Sequence, residues 1–258
     1  MDRLTSSQES DTSVPGFGKP AEEARAESGS EKLLETWVVV PAFNEEGVIR
    51  AVIDKLSRCP YKLVVVDDRS TDNTLLQIEG TRAHVLRHVV NLGQGAALQT
   101  GIAYALQNGA QYIVTFDSDG QHLPEDIPRM LEPLLKGECD VTLGTRFSKG
   151  GKAIDIPPVK KLFLKCATHL TRLTTGLEIT DTHNGFRAFR AGAAQKLCIT
   201  QNRMAHASQI LSQIASRKMV YREVPTSILY TDYSVAKGQR MSNAFNIVWE
   251  SLVEFFHP

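Results

Sequence analysis

Three segments of the chain share one pattern, in which a run of apolar residues ends abruptly in a cluster of polar ones. Nearly continuous runs of Val and Leu are typical of central strands that are covered on both faces of a parallel sheet. Segments with helical spacing lie between these runs, and the alternation indicates β-α-β units. The pattern therefore predicts an α/β fold with a mostly parallel, doubly wound sheet and helices on both faces. The segments are VVVPAFNEEGVI at 38–49, VVVDDRSTDNT at 64–74 and YIVTFDSDGQH at 112–122.

The composition limits the classes of partner that such a chain can have. It has 258 residues, of which 42% are hydrophobic, enough for one sizeable domain with its own core. Its 29 Lys and Arg residues equal its 29 Asp and Glu residues, so the total charge predicts no nucleic-acid partner. The four Cys residues form no C-x-x-C pair, which favours free thiols and a cytoplasmic location. No stretch approaches the roughly 18 apolar residues that a membrane span needs.

The sequence predicts three regions. Residues 1–35 are rich in Ser, Glu and Gly, with few large apolar residues, which predicts a disordered acidic tail. Residues 36–238 form the folded domain, whose later part is predicted to hold a helix near 158–175, a strand at FRAFR, a helix near 204–217 and a strand pair at MVYREVPT and SILYTD. Residues 239–258 place apolar side chains on one stripe of an amphipathic helix. This helix either docks on the domain or lies on a membrane surface.

The segment DSDGQH carries the strongest chemical pattern. Asp117, Asp119 and Gln121 follow a predicted buried strand at every second position, so an extended chain points all three in about one direction. Two close carboxylates repel unless a proton or a cation separates them, and Mg²⁺ commonly binds one or two carboxylates together with substrate phosphates. The alternative is a turn whose Asp and Gly only cap the next helix. The position at the carboxyl end of a strand, where α/β sheets bind ligands, favours the metal site.

The other two strand ends carry polar side chains as well. Asp67 and Asp68 can accept hydrogen bonds from a nucleobase or a ribose, although the polar residues after them can equally cap the next helix. Asn44 and Glu45 begin a helix predicted over 45–56, whose first turn offers free backbone N–H groups. Because the carboxyl ends of neighbouring strands meet at one edge of a sheet, the three clusters are expected to form one crevice.

Three later patterns point to phosphate. Gly93 and Gly95 in NLGQGAALQTGI do not complete a dinucleotide fingerprint, because Leu98 occupies the place of its third glycine, so they either approach a ligand or turn the chain into a helix. Residues 146–172 hold seven basic residues and one acid, which suits a phosphate, an anionic membrane surface or a solvated helix face. DTHNGFRAFR at 181–190 is too dense in charge for an ordinary turn.

Taken in order, PAFNEEGVI, VVVDDRSTDNT, NLGQGAALQTGI, DSDGQH, GTRF and DTHNGFRAFR resemble the family 2 glycosyltransferases of the GT-A fold. The resemblance is strongest to the branch with dolichyl-phosphate mannose synthase and bacterial polyprenyl-phosphate sugar transferases, and it covers roughly 37–240. One segment departs from that pattern: YTDYSVAKGQRMSNA stands where such synthases commonly carry an R-x-x-G-x-S-K-type loop. The departure resembles bacterial relatives that assemble surface or lipid-linked glycans.

The resemblance implies a role for each cluster. It implies that Asp117, Asp119 and Gln121 bind Mg²⁺ or Mn²⁺ at the diphosphate of a sugar donor. It also implies that Arg146 contacts phosphate and that the segment with Arg187 lies near the acceptor, which makes both of them catalytic candidates beside Asp117, Asp119 and Asp181. The residues expected to hold the donor nucleotide are Pro41, Ala42, Asn44, Glu45, Asp67, Asp68, Gly93 and Gly95.

The expected reaction is the inverting transfer of a hexose from a GDP- or UDP-linked sugar to a polyprenyl phosphate, or to a lipid-linked or surface glycan. The cation would neutralise the departing diphosphate, with Arg146 assisting. A phosphate acceptor is already ionised and needs no general base. A sugar hydroxyl needs one, for which Asp181 is the first candidate and His183 the second.

Two other functions are compatible with the same crevice. A nucleotidyltransferase that makes nucleotide sugars also uses a metal and a nucleotide, although it typically begins with a Gly-rich phosphate loop, in place of which this chain has PAFNEEG. A non-catalytic subunit that binds nucleotide or lipid is the second alternative. The predicted location is cytoplasmic, and a peripheral contact to the inner face of a membrane, or to a membrane partner, is compatible with it.

Overall fold

The computed structural model describes residues 33–148, 152–153, 168–201 and 205–229. The strands are Thr36–Ala42 (β1), Lys62–Asp67 (β2), His84–Arg87 (β3), Tyr112–Thr115 (β4), Val141–Thr145 (β5), Lys152–Ala153 (β6), Arg187–Arg190 (β7), Tyr221–Pro225 (β8) and Ser227–Ile228 (β9). The helices are Ile49–Leu56 (α1), Thr74–Ile78 (α2), Gln94–Gln107 (α3), Ile127–Leu135 (α4) after a 3-10 turn at Pro124–Asp126, residues 168–175 (α5), Ala191–Ala194 (α6) and His206–Ser216 (α7).

Seven of these strands form one sheet in the order β3-β2-β1-β4-β7-β5-β8. All neighbours pair in parallel except β7, which lies antiparallel between β4 and β5. Because β7 runs the other way, its first residue, Arg187, pairs with Thr115 and Leu143 near the carboxyl ends of the parallel strands. The loop that precedes β7 therefore reaches the same sheet edge as the loops that follow β1, β2, β4 and β5.

The sheet has a hydrophobic core on each face, and successive residues of the central strands alternate between the two. Val39 packs in the core under α3 and α7, whereas Val38 and Val40 pack in the core under α1 and α4. All three side chains are fully buried. Burial of a Val or Leu side chain contributes about 1.5–3 kcal/mol, so the continuous Val runs bind both helix layers to the sheet.

The predicted α/β architecture, mostly parallel with helices on both faces, is confirmed. The first helix begins at Ile49 and not at residue 45, because Asn44 adopts a left-handed conformation with φ 53° and the chain turns before the helix starts. The predicted strand pair at the end of the domain is wrong, since β8 pairs with β5 and β9 pairs with β6. Only Thr226 separates β8 from β9, too short a connection for the chain to reverse.

Several predictions fall on residues outside the described ranges. These are the tail over residues 1–32, most of the basic stretch, the part of the predicted 158–175 helix before residue 168, and the helix at 239–258. Within the described ranges, no helix combines the length and the apolar character required to cross a membrane.

Candidate active site

Hydrogen bonds join the loops that follow β1 and β2. The backbone N–H of Asn44 donates to the Ser70 hydroxyl at 2.9 Å, and the N–H of Thr71 donates to the Asn44 side-chain oxygen at 2.8 Å. The N–H of Glu45 donates to the Thr74 hydroxyl at 2.7 Å. The loops over 43–45 and 67–71 form the first wall of the predicted crevice, and these hydrogen bonds hold the two loops together.

Asp67 and Asp68 contribute to the same wall from the end of β2. Asp67 is fully buried, accepts a hydrogen bond from the Ser70 N–H at 3.0 Å and forms an ion pair with Arg87 at 3.1 Å. Asp68 is 2% exposed and accepts from the backbone N–H groups of Leu92 and Gly93 at 2.9 and 2.6 Å. Both carboxylates thus bind protein groups, and their role toward a nucleotide stays a prediction.

The Asp68 carboxylate also receives a side-chain hydrogen bond. His88 Nδ1 lies 2.7 Å from Asp68 Oδ1, and His88 Nε2 lies 2.9 Å from the Thr100 hydroxyl on α3. Asp68 thereby fixes the loop between β3 and α3 through three donors. Of the other residues predicted to hold the nucleotide, Pro41 and Ala42 are buried at the end of β1.

The two glycines at the start of α3 are placed differently from each other. Gly93 donates its N–H to Asp68 and has a φ of 94°, a conformation that other residues rarely adopt. Gly95 packs against the backbone at Gln201, where any side chain would overlap the Gln201 carbonyl oxygen. The absence of a side chain at Gly95 therefore allows close contact with another part of the chain, and this contact involves no ligand.

Asp117 lies just beyond β4, at the centre of this edge, and both of its carboxylate oxygens are held. Gln94 Nε2 donates to Oδ1 at 3.0 Å, and His122 Nε2 donates to Oδ2 at 3.0 Å. Gly185 lies against the same carboxylate, where a larger residue would displace it. Burial alone would raise the pKa of Asp117, but the hydrogen bond and charge of His122, with the charges of His206 and Arg187, hold that pKa below its usual value.

Asp119 is close enough to Asp117 for the two acids to influence each other's charge. Burial, together with the negative charge of Asp117, raises the pKa of Asp119 to about 6. The backbone N–H of Gln121 donates to Asp119 Oδ1 at 3.0 Å, and the chain turns at 118–120 where the sequence predicts an extended run. Asp117 and Asp119 form a pair of adjacent acids that suits Mg²⁺ or Mn²⁺, a bound cation would remove the repulsion that helps to raise this pKa, and the part of the Gln121 side chain stays a prediction.

This donor set contains fewer acids than a complete metal cage. In the part of the chain that the structure describes, no three His, Cys, Asp or Glu side chains are grouped to hold a metal ion. Mg²⁺ usually takes only one or two carboxylates from a protein and completes its shell with water and substrate phosphates. The set therefore fits a cation that binds together with a diphosphate.

On the other side of Asp117, Arg146 and Asp181 form a two-pronged ion pair. Arg146 Nε donates to Asp181 Oδ2 at 2.6 Å, and Arg146 Nη2 donates to Asp181 Oδ1 at 3.0 Å. The Arg146 side chain is 6% exposed and the Asp181 side chain 1%. The sequence predicts a phosphate-binding arginine and a separate general base, whereas the structure joins the two residues in one pair.

Arg187 is buried and lies near enough to Asp117 and Asp181 to be influenced by the charge of both. Burial lowers its pKa to about 10, while the negative charges of Asp117 and Asp181 oppose that shift. Its Nη2 donates to the Ala207 carbonyl at 3.3 Å. Arg187 remains protonated at neutral pH, so it contributes a fixed positive charge at the centre of the site.

His183, the second candidate base, lies in the same loop as Asp181. Burial lowers its pKa to about 4, so the ring is neutral at pH 7. Its Nδ1 is buried without a hydrogen-bond partner among the described residues. A neutral imidazole at pH 7 has one unprotonated nitrogen and could serve as a base, but its low pKa makes it a weak one.

Five residues of this site have no predicted role in the sequence. Gln94, His122 and Gly185 lie within the sequence motifs, but their direct contacts with Asp117 become visible only in the folded structure. Phe43 is 42% exposed at the end of β1, beside Asn44. Glu223 on β8 accepts hydrogen bonds from Thr180 and Asp181, and no sequence pattern distinguishes it from an ordinary surface acid.

Comparison with known proteins identifies the relatives of this chain. The sequence model of Glycosyl transferase family 2 matches residues 37–198. An uncharacterized protein of Methanocaldococcus jannaschii is 34% identical over 85% of this chain and 92% of its own length. The UDP-N-acetylglucosamine--dolichyl-phosphate N-acetylglucosaminyltransferase of Methanococcus voltae is 30% identical over 87% of this chain and 96% of its own. The polyprenol monophosphomannose synthase of Mycolicibacterium smegmatis is 31% identical over 63% of this chain and 64% of its own.

A solved structure confirms the predicted GT-A fold. The crystal structure of Mycobacterium tuberculosis glucosyl-3-phosphoglycerate synthase aligns with a TM-score of 0.65, covering 90% of this chain and 81% of that one. The sequences are 21% identical, so this likeness bears on the fold alone. Further structures of that synthase contain uridine diphosphate with Mn²⁺ or Mg²⁺.

Proposed function

Because the chain belongs to glycosyl transferase family 2, we propose that it transfers a hexose from a nucleoside diphosphate sugar to a polyprenyl phosphate, with inversion at the anomeric carbon. The family predicted from the sequence motifs is thereby confirmed, and with it the class of enzyme. The donor, the acceptor and the cation are the proposal. Two relatives are named for transfer to dolichyl phosphate and for synthesis of a polyprenol monophosphosugar, which supports this acceptor class.

One observation carries the choice of acceptor. The Asp181 carboxylate is bound through both oxygens to the Arg146 guanidinium, so the first candidate base is engaged in an ion pair. The neighbouring His183 has its pKa lowered to about 4 by burial. A sugar hydroxyl would have to lose a proton to one of these groups, whereas a phosphate oxygen is already ionised. The arrangement therefore favours a phosphate acceptor.

The donor would lie along the ends of β1, β2 and β4. Its base and ribose would fit beside the wall made by the 43–45 and 67–71 loops, where Phe43 offers an exposed aromatic face. Aromatic faces stack well on flat rings such as nucleobases. The diphosphate would then reach Asp117 and Asp119, which lie next along the same edge.

Asp117, Asp119 and Gln121 would hold Mg²⁺ or Mn²⁺ against the donor diphosphate. A bound divalent cation neutralises the charge that grows on the diphosphate as the sugar leaves. The chain orients this set through Gln94 and His122, which fix the two oxygens of Asp117. The Asp119 carboxyl, whose pKa of about 6 reflects burial and then its acidic neighbour, would be held ionised by the cation.

The reaction then needs no proton transfer. An acceptor phosphate oxygen forms a bond to the anomeric carbon from one face, and the bond from that carbon to the donor diphosphate breaks on the other, with its electrons passing to the diphosphate. Arg146 and Arg187 supply two positive charges on the acceptor side of Asp117. Both side chains are at least nine-tenths buried, which places the charges where water screens them little.

A polyprenyl acceptor places the reaction at a membrane surface. The acceptor's lipid chain stays in the bilayer, so the enzyme would contact the membrane from outside, either directly or through a membrane partner. The cytoplasmic, peripheral location predicted from the sequence is compatible with this arrangement and stays part of the proposal.

A transfer assay tests the proposal. Purified protein is incubated with radiolabelled UDP- and GDP-sugars, Mg²⁺ or Mn²⁺, and undecaprenyl or dolichyl phosphate, and the label in the organic phase is counted. We expect label to appear there with at least one donor and to be lost when EDTA is added. Transfer to a sugar hydroxyl in place of the lipid would contradict the acceptor. Formation of a nucleotide sugar from a sugar 1-phosphate and a nucleoside triphosphate would contradict the reaction.

A further inference from the structure

Glu223 is an acid on β8 that fastens the loop before β7. Its Oε1 accepts hydrogen bonds from the backbone N–H groups of Thr180 and Asp181 at 2.6 and 3.3 Å, and its Oε2 accepts one from the Thr180 hydroxyl at 2.9 Å. One side chain therefore binds three successive donors of the loop. This grip fixes the backbone from which the Asp181 carboxylate projects.

The same loop is bonded to the end of β5. The hydroxyls of Thr145 and Thr180 lie 2.7 Å apart, and the Thr145 hydroxyl accepts from the N–H of Phe147 at 3.1 Å. Asp181 adds the Arg146 backbone N–H, at 3.3 Å, to its two bonds from the guanidinium. The end of β5, the 180–181 loop and Glu223 are consequently one connected unit.

Such a unit is suited to holding a charged side chain in one place. A guanidinium bound through Nε and Nη2 to one carboxylate has its plane and direction fixed by that carboxylate. Because the pair is buried, solvent does not compete for the two groups.

We infer that Asp181 is a positioning residue that sets the direction of the Arg146 guanidinium, and that Glu223 in turn positions Asp181. The inference rests on the proposed function only in its statement that Arg146 meets the acceptor phosphate. It assigns a role to Glu223, and it gives Asp181 a positioning role in place of the role of a base.

A double-mutant cycle on transfer tests the first step. Arg146→Gln, Asp181→Asn and the double variant are compared for kcat and for the KM of polyprenyl phosphate. Loss of the guanidinium in Arg146→Gln, or its misdirection in Asp181→Asn, is expected to lower transfer by about 100-fold. If Asp181 acts only through Arg146, the double variant is no worse than Arg146→Gln alone. Effects that multiply in the double variant would overturn the inference, because they would show an independent role such as a base.

Glu223 is tested with a conservative and a truncating variant. Glu223→Gln keeps an oxygen acceptor for the loop N–H groups, whereas Glu223→Ala removes every bond to the loop. We expect Glu223→Gln to retain most of the transfer rate and Glu223→Ala to raise the KM for polyprenyl phosphate with little change in the KM for the donor. Glu178→Gln, an exposed acid of the same loop, is the matched control. Equal changes in both KM values would indicate a general loss of structure and would contradict the positioning role.

The same variants are also unfolded with urea, a readout that needs no substrate. If Arg146 and Asp181 stabilise each other, the double variant loses less free energy of unfolding than the two single variants lose together. The reason is that neither partner is then left buried and unpaired. Additive losses would overturn the pairing whatever the enzyme transfers. Failure of the wild type to glycosylate polyprenyl phosphate, with the unfolding cycle still coupled, would instead contradict the proposed acceptor and leave the positioning of Arg146 supported.

Discussion

The two sides of the crevice use buried acids in different ways. On the side proposed for the donor, which comprises residues 36–93, Asp68 accepts hydrogen bonds from the backbone N–H groups of Leu92 and Gly93. On the side proposed for the acceptor, which comprises residues 141–148, 177–190 and 221–226, Asp181 binds the guanidinium of Arg146. Asp68 thus mainly fixes the main chain, whereas Asp181 mainly fixes a charged side chain.

Under the proposed function, this difference would decide where each substrate obtains its contacts. A wall built from backbone hydrogen bonds is rigid before any ligand arrives, which suits the recognition of a flat base and a ribose. A side of the site built from buried charges provides an electric field at a chosen point, which suits a phosphate. Asp117 and Asp119 lie at the boundary, where the diphosphate of the donor would meet the acceptor.

The largest expected effect comes from this boundary. Asp119→Ala removes one of the two acids that would hold the cation, and we expect kcat to fall on the order of 1000-fold with Mg²⁺ or Mn²⁺ supplied. Asp54→Ala, which removes an exposed acid paired with Arg50, is the control and should be nearly neutral. Near-normal transfer by Asp119→Ala would show that the reaction does not depend on a cation bound by Asp119.

The next effect separates the two interpretations of Asp68. Replacement by Ala leaves the N–H groups of Leu92 and Gly93, and the ring of His88, without their acceptor, so we expect unfolding to become easier by about 3 kcal/mol. Urea unfolding measures the stability, and the KM for the donor should rise because the loop moves. Normal stability together with a raised KM for the donor would instead make Asp68 a ligand of the nucleotide. The difference between Asp68 and Asp181 described above would then not hold.

The sequence predicts the parallel part of the fold well because its determinants are local. Continuous Val runs indicate strands buried on both faces, and the three polar strand ends lie at one sheet edge as expected. The strand at FRAFR is also predicted, but nothing in its residues states that it enters the sheet antiparallel between β4 and β5. The position of β7 depends on contacts with β4 and β5, and more than forty residues separate the end of β5 from the start of β7.

The partners of the charged residues are the part that the sequence does not provide. Arg146 and Asp181 are 35 positions apart, and each is a plausible functional residue alone, so their types give no indication that they are bound to each other. Glu223 lies in a short strand between the exposed Arg222 and the buried Val224, and its sequence context is that of a surface acid. These pairings form because the fold brings the loop before β7 against the end of β5 and against β8.

A smaller effect is expected at the aromatic side chain of the donor wall. Phe43→Ala removes an exposed ring at the end of β1, and loss of stacking on a nucleobase should raise the KM for the donor up to about tenfold. The KM for polyprenyl phosphate should stay constant. Leu76→Ala, which truncates an exposed apolar residue of α2, controls for loss of surface area. A change confined to the acceptor KM would place Phe43 on the other side of the crevice.

The smallest effect concerns the acceptor side and depends on pH. Burial lowers the pKa of His183 from its ordinary 6.5 to about 4, so between these values the unfolded chain binds a proton that the folded chain does not. Stability from this residue is therefore complete above pH 6.5 and is lost as the pH falls toward 4. Urea unfolding at pH 7 and pH 4.5 should show a smaller loss on acidification for His183→Gln than for the wild type, with the exposed His169→Gln as control. Identical losses in the wild type and in His183→Gln would mean that the ring is solvated, and the acceptor side would then be less shielded from water than its buried charges require.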